Sequence, residues 1–269
     1  MTEPRKPDVQ EPETLPEAVF DCPRHGTYRG YGVKMTILGR ERIYAPDCPE
    51  CEAEEADKRN RGESERLKAA RSERLAAMNI DKMYWDKSFD DFIASTPEQK
   101  WHLETAMNFA ANPKGKLVML GNNGTGKTHL AASILRRTGG ILYTAYEIGV
   151  NLRHSYNGNT REKDVLDELC TVNVLVIDEI GRTKEGSEAD ARWMSHVINK
   201  RHANFMPLVL ISNRHLKKDC PENAEKGCTK CLENFIDNDV TSRIMEDGIR
   251  MNFTGGDHRR KIREAARAA

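Results

Sequence analysis

No run of apolar residues in this chain approaches the roughly 18 needed to span a bilayer. That excludes a helical membrane protein and leaves no membrane among the expected partners. There is also no surplus of either charge. Lys and Arg total 42 against 42 Asp and Glu, so any nucleic-acid contact must come from local clusters and not from a global field. The first residues, MTEPRKPDVQEPETLPE, lack the charged start and the apolar stretch of a signal peptide. Residues 1–18 read as a disordered, acidic, proline-rich leader, and the expected location is cytoplasmic. In that reducing setting the seven cysteines, six of them outside the expected core, read as metal ligands before disulfides.

What is present divides by texture. At 269 residues there is room for one sizeable α/β core and a small appended module. Residues 19–51 are short-patterned, punctuated by glycine, and carry Cys/His pairs. Residues 52–79 mix both charge signs with alanine and few apolar positions, which predicts a solvated helical linker supported by pairs such as Glu54–Lys58. Gly62 weakens its middle and allows a bend. From residue 80 to 260, short apolar runs suited to buried strands (Leu117–Leu120, Ile141–Tyr143, Val174–Ile177, Leu208–Ile211) alternate with helical stretches. The helices are expected at Pro97–Ala111, Lys127–Arg137, Glu147–His154, Glu162–Cys170 and Glu188–Ala203. This alternation implies an α/β fold, a parallel sheet with helices on both faces. Residues 261–269 form a basic tail.

The strongest chemical signal is Gly121-Asn122-Asn123-Gly124-Thr125-Gly126-Lys127-Thr128, which fits G-x-x-x-x-G-K-[ST] at every fixed position between a predicted strand and a predicted helix. The glycines let backbone N–H groups converge on phosphate oxygens without a Cβ in the way. Lys127 supplies charge to the β- and γ-phosphates, Thr128 offers a hydroxyl to Mg²⁺, and the helix starting there points its positive end at the anion. His129 follows directly and joins the expected ATP/ADP-binding set. A second strand ends in Asp178–Glu179: Asp178 suits the Mg²⁺ shell, and Glu179 suits a general base on the attacking water. Asn213, at the end of the next strand, is placed to orient that water. Adjacent acids with a strand-end asparagine suit water activation better than phosphoryl transfer to a small molecule.

Cys22-Pro-Arg-His25 and Cys48-Pro-Glu-Cys51 form C-x₂-H and C-x₂-C pairs whose four ligands suit one tetrahedral Zn²⁺. A segment this short gains its folding free energy from the metal. Further on, Cys220, Cys228 and Cys231, with His215 as a fourth ligand, form either a second zinc site or a loop of reduced cysteines. Cys170 reads as a buried core thiol.

GNNGTGKTHLA, VLVIDEIG and LVLISN, at these spacings and with the FDDF stretch at Phe89–Phe92, resemble the AAA+ ATPases of the DnaC/DnaI helicase-loader and IstB transposition-helper group over residues 89–260. The resemblance implies an AAA+ ATPase that self-associates into a ring or spiral, with ATP hydrolysis completed between subunits. Arg243, in Asp239-Val240-Thr241-Ser242-Arg243, matches the position of the arginine supplied to a neighbour's site, although Ser242 stands where the family usually has an acid. Arg259 matches the arginine that touches nucleotide in cis, with Arg260 the near alternative. The N-terminal zinc module resembles the part of DnaI-type loaders that grips the replicative hexameric helicase, with single-stranded DNA as the further partner. An IstB-like helper acting on duplex DNA is the alternative. Arg182 and Lys184 are candidates for a DNA channel, and the tail RRKIREAAR reads as either a DNA contact or a solvated end. Tyr28, Arg29, Tyr31 and Lys34 around the zinc suit a protein contact or base stacking.

Overall fold

The computed structural model describes residues 12–37, 40–155, 161–182, 188–220, 228, 230–236 and 238–258. Contacts divide the chain into two compact units, residues 1–71 and 72–269.

In the first unit, strands β1 (Glu13–Cys22), β2 (Gly26–Ile37) and β3 (Arg40–Tyr44) form an antiparallel sheet in the order β1-β2-β3. Strand β1 begins at Glu13, inside the segment read as a leader. The β1–β2 turn closes at Cys22 opposite Gly26, where Gly26 takes a φ of 78° that only glycine adopts freely. Helix α1 (Pro49–Ala77) starts one residue after Cys48 and continues for 29 residues through Gly62, which therefore marks no break. Pro49 suits the first turn of this helix because its missing N–H would have no partner there anyway.

The second unit is a five-stranded, wholly parallel sheet in the order β5-β6-β7-β4-β8. Its strands are β4 (Lys116–Gly121), β5 (Ile141–Thr144), β6 (Leu175–Ile180), β7 (Leu208–Ser212) and β8 (Gly248–Phe253), joined by α2 (Pro97–Ala111), α3 (Lys127–Thr138), α4 (Ala145–Ser155), α5 (Glu162–Thr171), α6 (Glu188–Ala203) and α7 (Asn238–Glu246). Alternate strand residues feed two separate cores, as the period of two in a strand requires. Leu117, Met119, Val176, Val209 and Ile211 pack with Leu130, Ala131 and Ile134 of α3 and Phe109 of α2. Val118, Leu120, Leu175, Ile177 and Leu210 pack with Ile148, Leu169, Val197, Ile198, Val240 and Ile244 of α4 to α7. The sheet therefore carries helices on both faces.

The first core also takes in Leu75, Met78 and Ile80. The Leu142 amide donates to the Met78 carbonyl at 2.9 Å, and the Asn79 side chain donates to the Leu142 carbonyl at 2.8 Å. Residues 72–79, expected to be linker, thus belong to the second unit: Leu75 and Met78, the larger apolar side chains in this charged run, both face one core. Helix α2 begins where expected because Thr96 and Gln99 form a reciprocal capping box ahead of Pro97.

Candidate functional site

The loop between β4 and α3 forms the floor of a cleft of 580 Å³ lined by residues 123–129, Asp178, Glu179 and Asn213. Gly121, Gly124 and Gly126 all have positive φ, and a β-carbon at any of them would force a neighbour to move. A Cβ would stand 2.2 Å from the Phe253 carbonyl at Gly121, 1.8 Å from Asp257 at Gly124 and 2.6 Å from Phe92 at Gly126. The loop is braced from behind by the end of β8: the Asn122 amide donates to the Phe253 carbonyl at 3.0 Å, and the His258 amide to the Gly124 carbonyl at 2.9 Å. Lys127, 5 % exposed, donates to the Gly121 carbonyl at 2.7 Å and to that of Asn122. The N–H groups at the start of α3 complete an anion site of the kind a polyphosphate requires.

Opposite the loop, β6 departs from regular pairing where its acids sit. Ile177 pairs with Leu210 and Ile180 with Ser212, so Asp178 and Glu179 together oppose Ile211. Such a bulge re-aims side chains out of a ladder, and Glu179 accordingly takes a left-handed φ of 57°. Asp178 is 6 % exposed; its Oδ2 accepts from the Thr128 hydroxyl at 2.7 Å, and its Oδ1 accepts from the Glu179 amide at 2.6 Å. Burial pushes its carboxyl above the usual range, while Thr128, the Glu179 amide and the Lys127 charge oppose that shift. A buried carboxylate paired with a hydroxyl beside a phosphate cradle has the donor set that holds Mg²⁺. Glu179 lines the same cleft and forms an ion pair with Arg182, whose side chain is otherwise largely exposed.

His129 lines the cleft, but its Nε2 lies 2.7 Å from the Ser88 carbonyl and its ring meets Phe92 edge-on at 5.7 Å. It positions the segment covering Gly126. The far wall, made by Met83, Tyr84, Phe92, Ile93 and His102, was not evident from the motifs. His102 is buried and stacked on Phe253 with ring centroids 4.0 Å apart, and burial lowers its pKa, which keeps it neutral. The FDDF stretch was the one signal pointing to this wall. Arg243 is exposed on α7 and does not line the cleft of its own chain. Arg259, Arg260, Lys184 and the basic tail lie outside the described residues. Cys170 is half-buried beside the second core, and burial raises its thiol pKa.

In the first unit, the ligand atoms of Cys22, His25, Cys48 and Cys51 all lie within 4.8 Å of one another. The His25 Nδ1 is 3.7 Å from Cys22 Sγ, 3.6 Å from Cys48 Sγ and 3.3 Å from Cys51 Sγ, and Cys22 and Cys51 are 3.5 Å apart. A tetrahedral zinc with sulfur at about 2.3 Å and nitrogen at about 2.0–2.1 Å has ligand–ligand edges of roughly 3.5–3.8 Å, so the set fits zinc. The other ring nitrogen of His25 lies 3.3 Å from Glu54, the carboxylate partner that orients a metal-bound imidazole. The pairs do not form two similar knuckles. Cys22 and His25 flank the β1–β2 turn, whereas Cys48 and Cys51 flank the start of α1, and Glu54 follows one turn along that helix. The amides of Arg24 and His25 bring the Cys22 thiol down to about 6, and contacts with Cys22 and Cys48 raise His25 to about 8.

A second group, His215, Cys220, Cys228 and Cys231, also has its ligand atoms within 4.8 Å of one another. His215 and Cys231 form a parallel bridge; Cys228 Sγ lies 3.5 Å from His215 Nε2 and accepts from the Lys230 amide at 3.4 Å.

A chain with this loop, this acid pair and this strand order has known counterparts. The replicative helicase loader DnaC of Escherichia coli strain K12 is 26 % identical over 148 residues, 52 % of this chain and 60 % of that protein. The DnaC of Buchnera aphidicola subsp. Baizongia pistaciae is 28 % identical over 150 residues, again 52 % and 60 %. The chain thus spans about 60 % of the length of these curated relatives. Among solved structures, the DnaC helicase loader matches 65 % of this chain and 100 % of its own at a TM-score of 0.54 and 22 % identity. AMPPCP-bound DnaA from Aquifex aeolicus matches 70 % and 56 % at 0.52 and 17 %. These structures show a shared fold, the AAA+ sheet. The model of the IstB-like ATP binding protein family matches residues 52–219, a span that takes in the phosphate loop, the acid pair and Asn213. The chain belongs to the IstB-like ATP binding protein family.

Proposed function

We propose that the protein hydrolyses ATP between subunits of a ring or spiral and loads a replicative hexameric helicase onto single-stranded DNA, with its zinc module gripping the helicase. The observation carrying this reading is the coexistence of two built sites in one chain: a Cys₃His cluster in the first unit and a phosphate cradle with its acid pair in the second. The relatives named as replicative helicase loaders agree with it.

In this reading Gly121–Thr128 hold the polyphosphate through backbone N–H groups, and Lys127 exchanges its carbonyl partners for phosphate oxygens. Thr128 and Asp178 would hold Mg²⁺, which would supply charge neutralisation to the bound phosphates. Glu179 takes the proton of the attacking water, Asn213 orients that water, and Arg243 of a neighbouring subunit neutralises developing charge, a contribution of about 10³–10⁵ in rate in comparable enzymes. Arg259 is assigned the cis contact with nucleotide. Hydrolysis by an isolated subunit is accordingly slow, and turnover releases the loader. Zinc in the Cys22–His25–Cys48–Cys51 site is structural, because all four positions are taken by protein ligands.

The test is capture of the replicative helicase by the full chain, by Cys22→Ser/Cys51→Ser, and by residues 72–269. Capture by the full chain alone, with ATP turnover kept in the two altered proteins, is the expected result. Capture by none of them, with ATP-dependent assembly on duplex DNA instead, overturns loading and selects the alternative of a transposition helper.

A further inference from the structure

The segment leaving β7 holds a cluster that the ATPase chemistry does not use. Cys228 and Cys231 are 6 % and 1 % exposed, and the ligand atoms of His215, Cys220, Cys228 and Cys231 converge within 4.8 Å. Burial by itself explains one apolar thiol, since an unligated cysteine packs as a small hydrophobe. It does not explain three thiols and an imidazole nitrogen gathered from a long stretch of chain onto one point. The local backbone is built for a metal as well. Cys228-Thr-Lys-Cys231 has the C-x₂-C spacing, and the Lys230 amide donates to Cys228 Sγ at 3.4 Å, the N–H···S bond of a metal knuckle. His215 is fixed from both sides: its carbonyl accepts from the Leu232 amide at 2.8 Å, and its amide donates to the Lys230 carbonyl at 3.4 Å. The 3.5 Å separation of Cys228 Sγ and His215 Nε2 equals the edge expected of a tetrahedral zinc site.

The position of this cluster gives it a role. Asn213 and Arg214 immediately precede His215. Arg214 donates to the Gly181 carbonyl through Nε at 2.8 Å, and its guanidinium stacks on Phe235 at 4.1 Å. Phe235 follows Cys231 by a single helical turn, Leu232–Asn234. Gly181 has a φ of 77°, which side chains rarely adopt, and lies close against both residues: a Cβ there would stand 3.1 Å from Phe235 and 3.3 Å from Arg214. Gly181 stands two residues after Glu179. The loop leaving β6 is thus held between Arg214 and Phe235, each anchored next to a ligand of the cluster. Ser212 adds a second tie, donating to the Ile180 carbonyl at 2.6 Å.

We propose that His215, Cys220, Cys228 and Cys231 bind a zinc ion of their own, and that this ion, through Arg214 and Phe235, clamps the loop leaving β6 and sets the positions of Asn213 and Glu179 against the nucleotide. The role of the ion rests on the ATPase reading above; its binding does not. The four residues are positioning residues, since none lines the nucleotide cleft.

The experiment counts zinc per chain by mass spectrometry of the purified full-length protein. Cys228→Ser and His215→Ala each lose one zinc relative to the unsubstituted chain, whatever the N-terminal module holds, and His215→Cys, which keeps four ligands, restores it. Cobalt substitution of the Cys51→Ser chain shows the d–d bands of tetrahedral thiolate coordination, which disappear on adding Cys228→Ser. In ATP turnover, Cys228→Ser lowers kcat on the order of 10- to 100-fold while ATP affinity, set by the phosphate loop, changes by less than about threefold. His215→Cys recovers kcat together with zinc. Unchanged zinc content in Cys228→Ser, or a disulfide between Cys228 and Cys231 in the purified chain, overturns the site. Loss of the zinc with kcat unchanged overturns the clamp but leaves the ATPase reading standing, whereas absence of turnover in the unsubstituted chain refutes that reading instead.

Discussion

Arg201 is fully buried near the end of α6, and its replacement by leucine should be among the most damaging single changes in the ATPase unit. Its guanidinium donates to the carbonyls of Leu169 and Val172 at 2.9 Å each, to that of Asn173 at 3.2 Å and to that of Pro207. Leu169 and Val172 close α5, where the last carbonyls have no partner inside the helix. The remaining two flank the entries to β6 and β7, so one side chain ties a helix end to two strands. Leucine replaces part of the volume and none of the donors. A stranded buried acceptor costs about 1–3 kcal/mol, and up to three are exposed to that fate, since the Pro207 carbonyl keeps the Leu175 amide at 3.4 Å. Part is returned, because the guanidinium is itself desolvated, with its pKa lowered to about 10 by burial, though still charged at neutrality. The expected net loss is about 3–5 kcal/mol, or roughly 6–20 °C in Tm for a unit of this size. Arg201→Lys should lose about half as much, since an ammonium has three donors but no planar fork. Urea unfolding followed by tryptophan emission isolates the relevant unit, because Trp85, Trp101 and Trp193 all lie within residues 72–269. An Arg201→Leu midpoint equal to that of the unsubstituted chain, at the same m value, would refute the reasoning.

Glu179→Gln should bind ATP normally and hydrolyse it about 10²–10⁴ times more slowly; loss of nucleotide binding, measured by equilibrium titration, would reassign the residue to the metal. Mixing Arg243→Ala with Lys127→Ala subunits should restore part of the turnover lost by each, and no recovery at any ratio in a steady-state assay would remove Arg243 from the neighbour's site. Glu54→Gln should weaken zinc binding at the N-terminal cluster about 10- to 100-fold in chelator competition, because the carboxylate no longer orients His25. An unchanged affinity would mean that the β1–β2 turn alone sets the ring.

The parts of the site legible in the sequence are those whose chemistry lies in consecutive residues. Gly121–Thr128 works through its own backbone, so its spacing suffices, and Asp178–Glu179 end an apolar run whose burial is evident from composition. Helices α2, α3, α5 and α6 have the expected starts, marked by Pro97, the phosphate loop and acidic first turns. Strand β8 was missed because GIRMNF mixes exposed Ile249 and partly exposed Arg250 with buried Met251 and Phe253. Its pairing partner, β4, lies far away in the chain. The sheet of the first unit was missed for a related reason: most of the residues of β1 and β3 are exposed, leaving no apolar alternation to read. Arg201 is illegible in principle. It sits among Lys200 and His202 like any solvated helix terminus, and only the arrival of four carbonyls from other segments makes it interior.

The bracing of the phosphate loop by β8 also has a meaning for biosynthesis. The Asn122 and Gly124 backbones are held by Phe253 and His258, and among the described residues β8 pairs only with β4, at the edge of the sheet. A growing chain therefore carries the loop long before it carries the segment that shapes it. At about 5–20 residues per second the interval is on the order of ten seconds. During that time ATP has no finished cradle to enter and lends the nascent domain no stability by mass action. The unpaired edge of β4 is meanwhile open to other strands. Nucleotide becomes a stabilising ligand only once residues 248–258 have been made, so a truncation within them should behave as an aggregating, nucleotide-blind protein although every residue of the phosphate-loop motif is present.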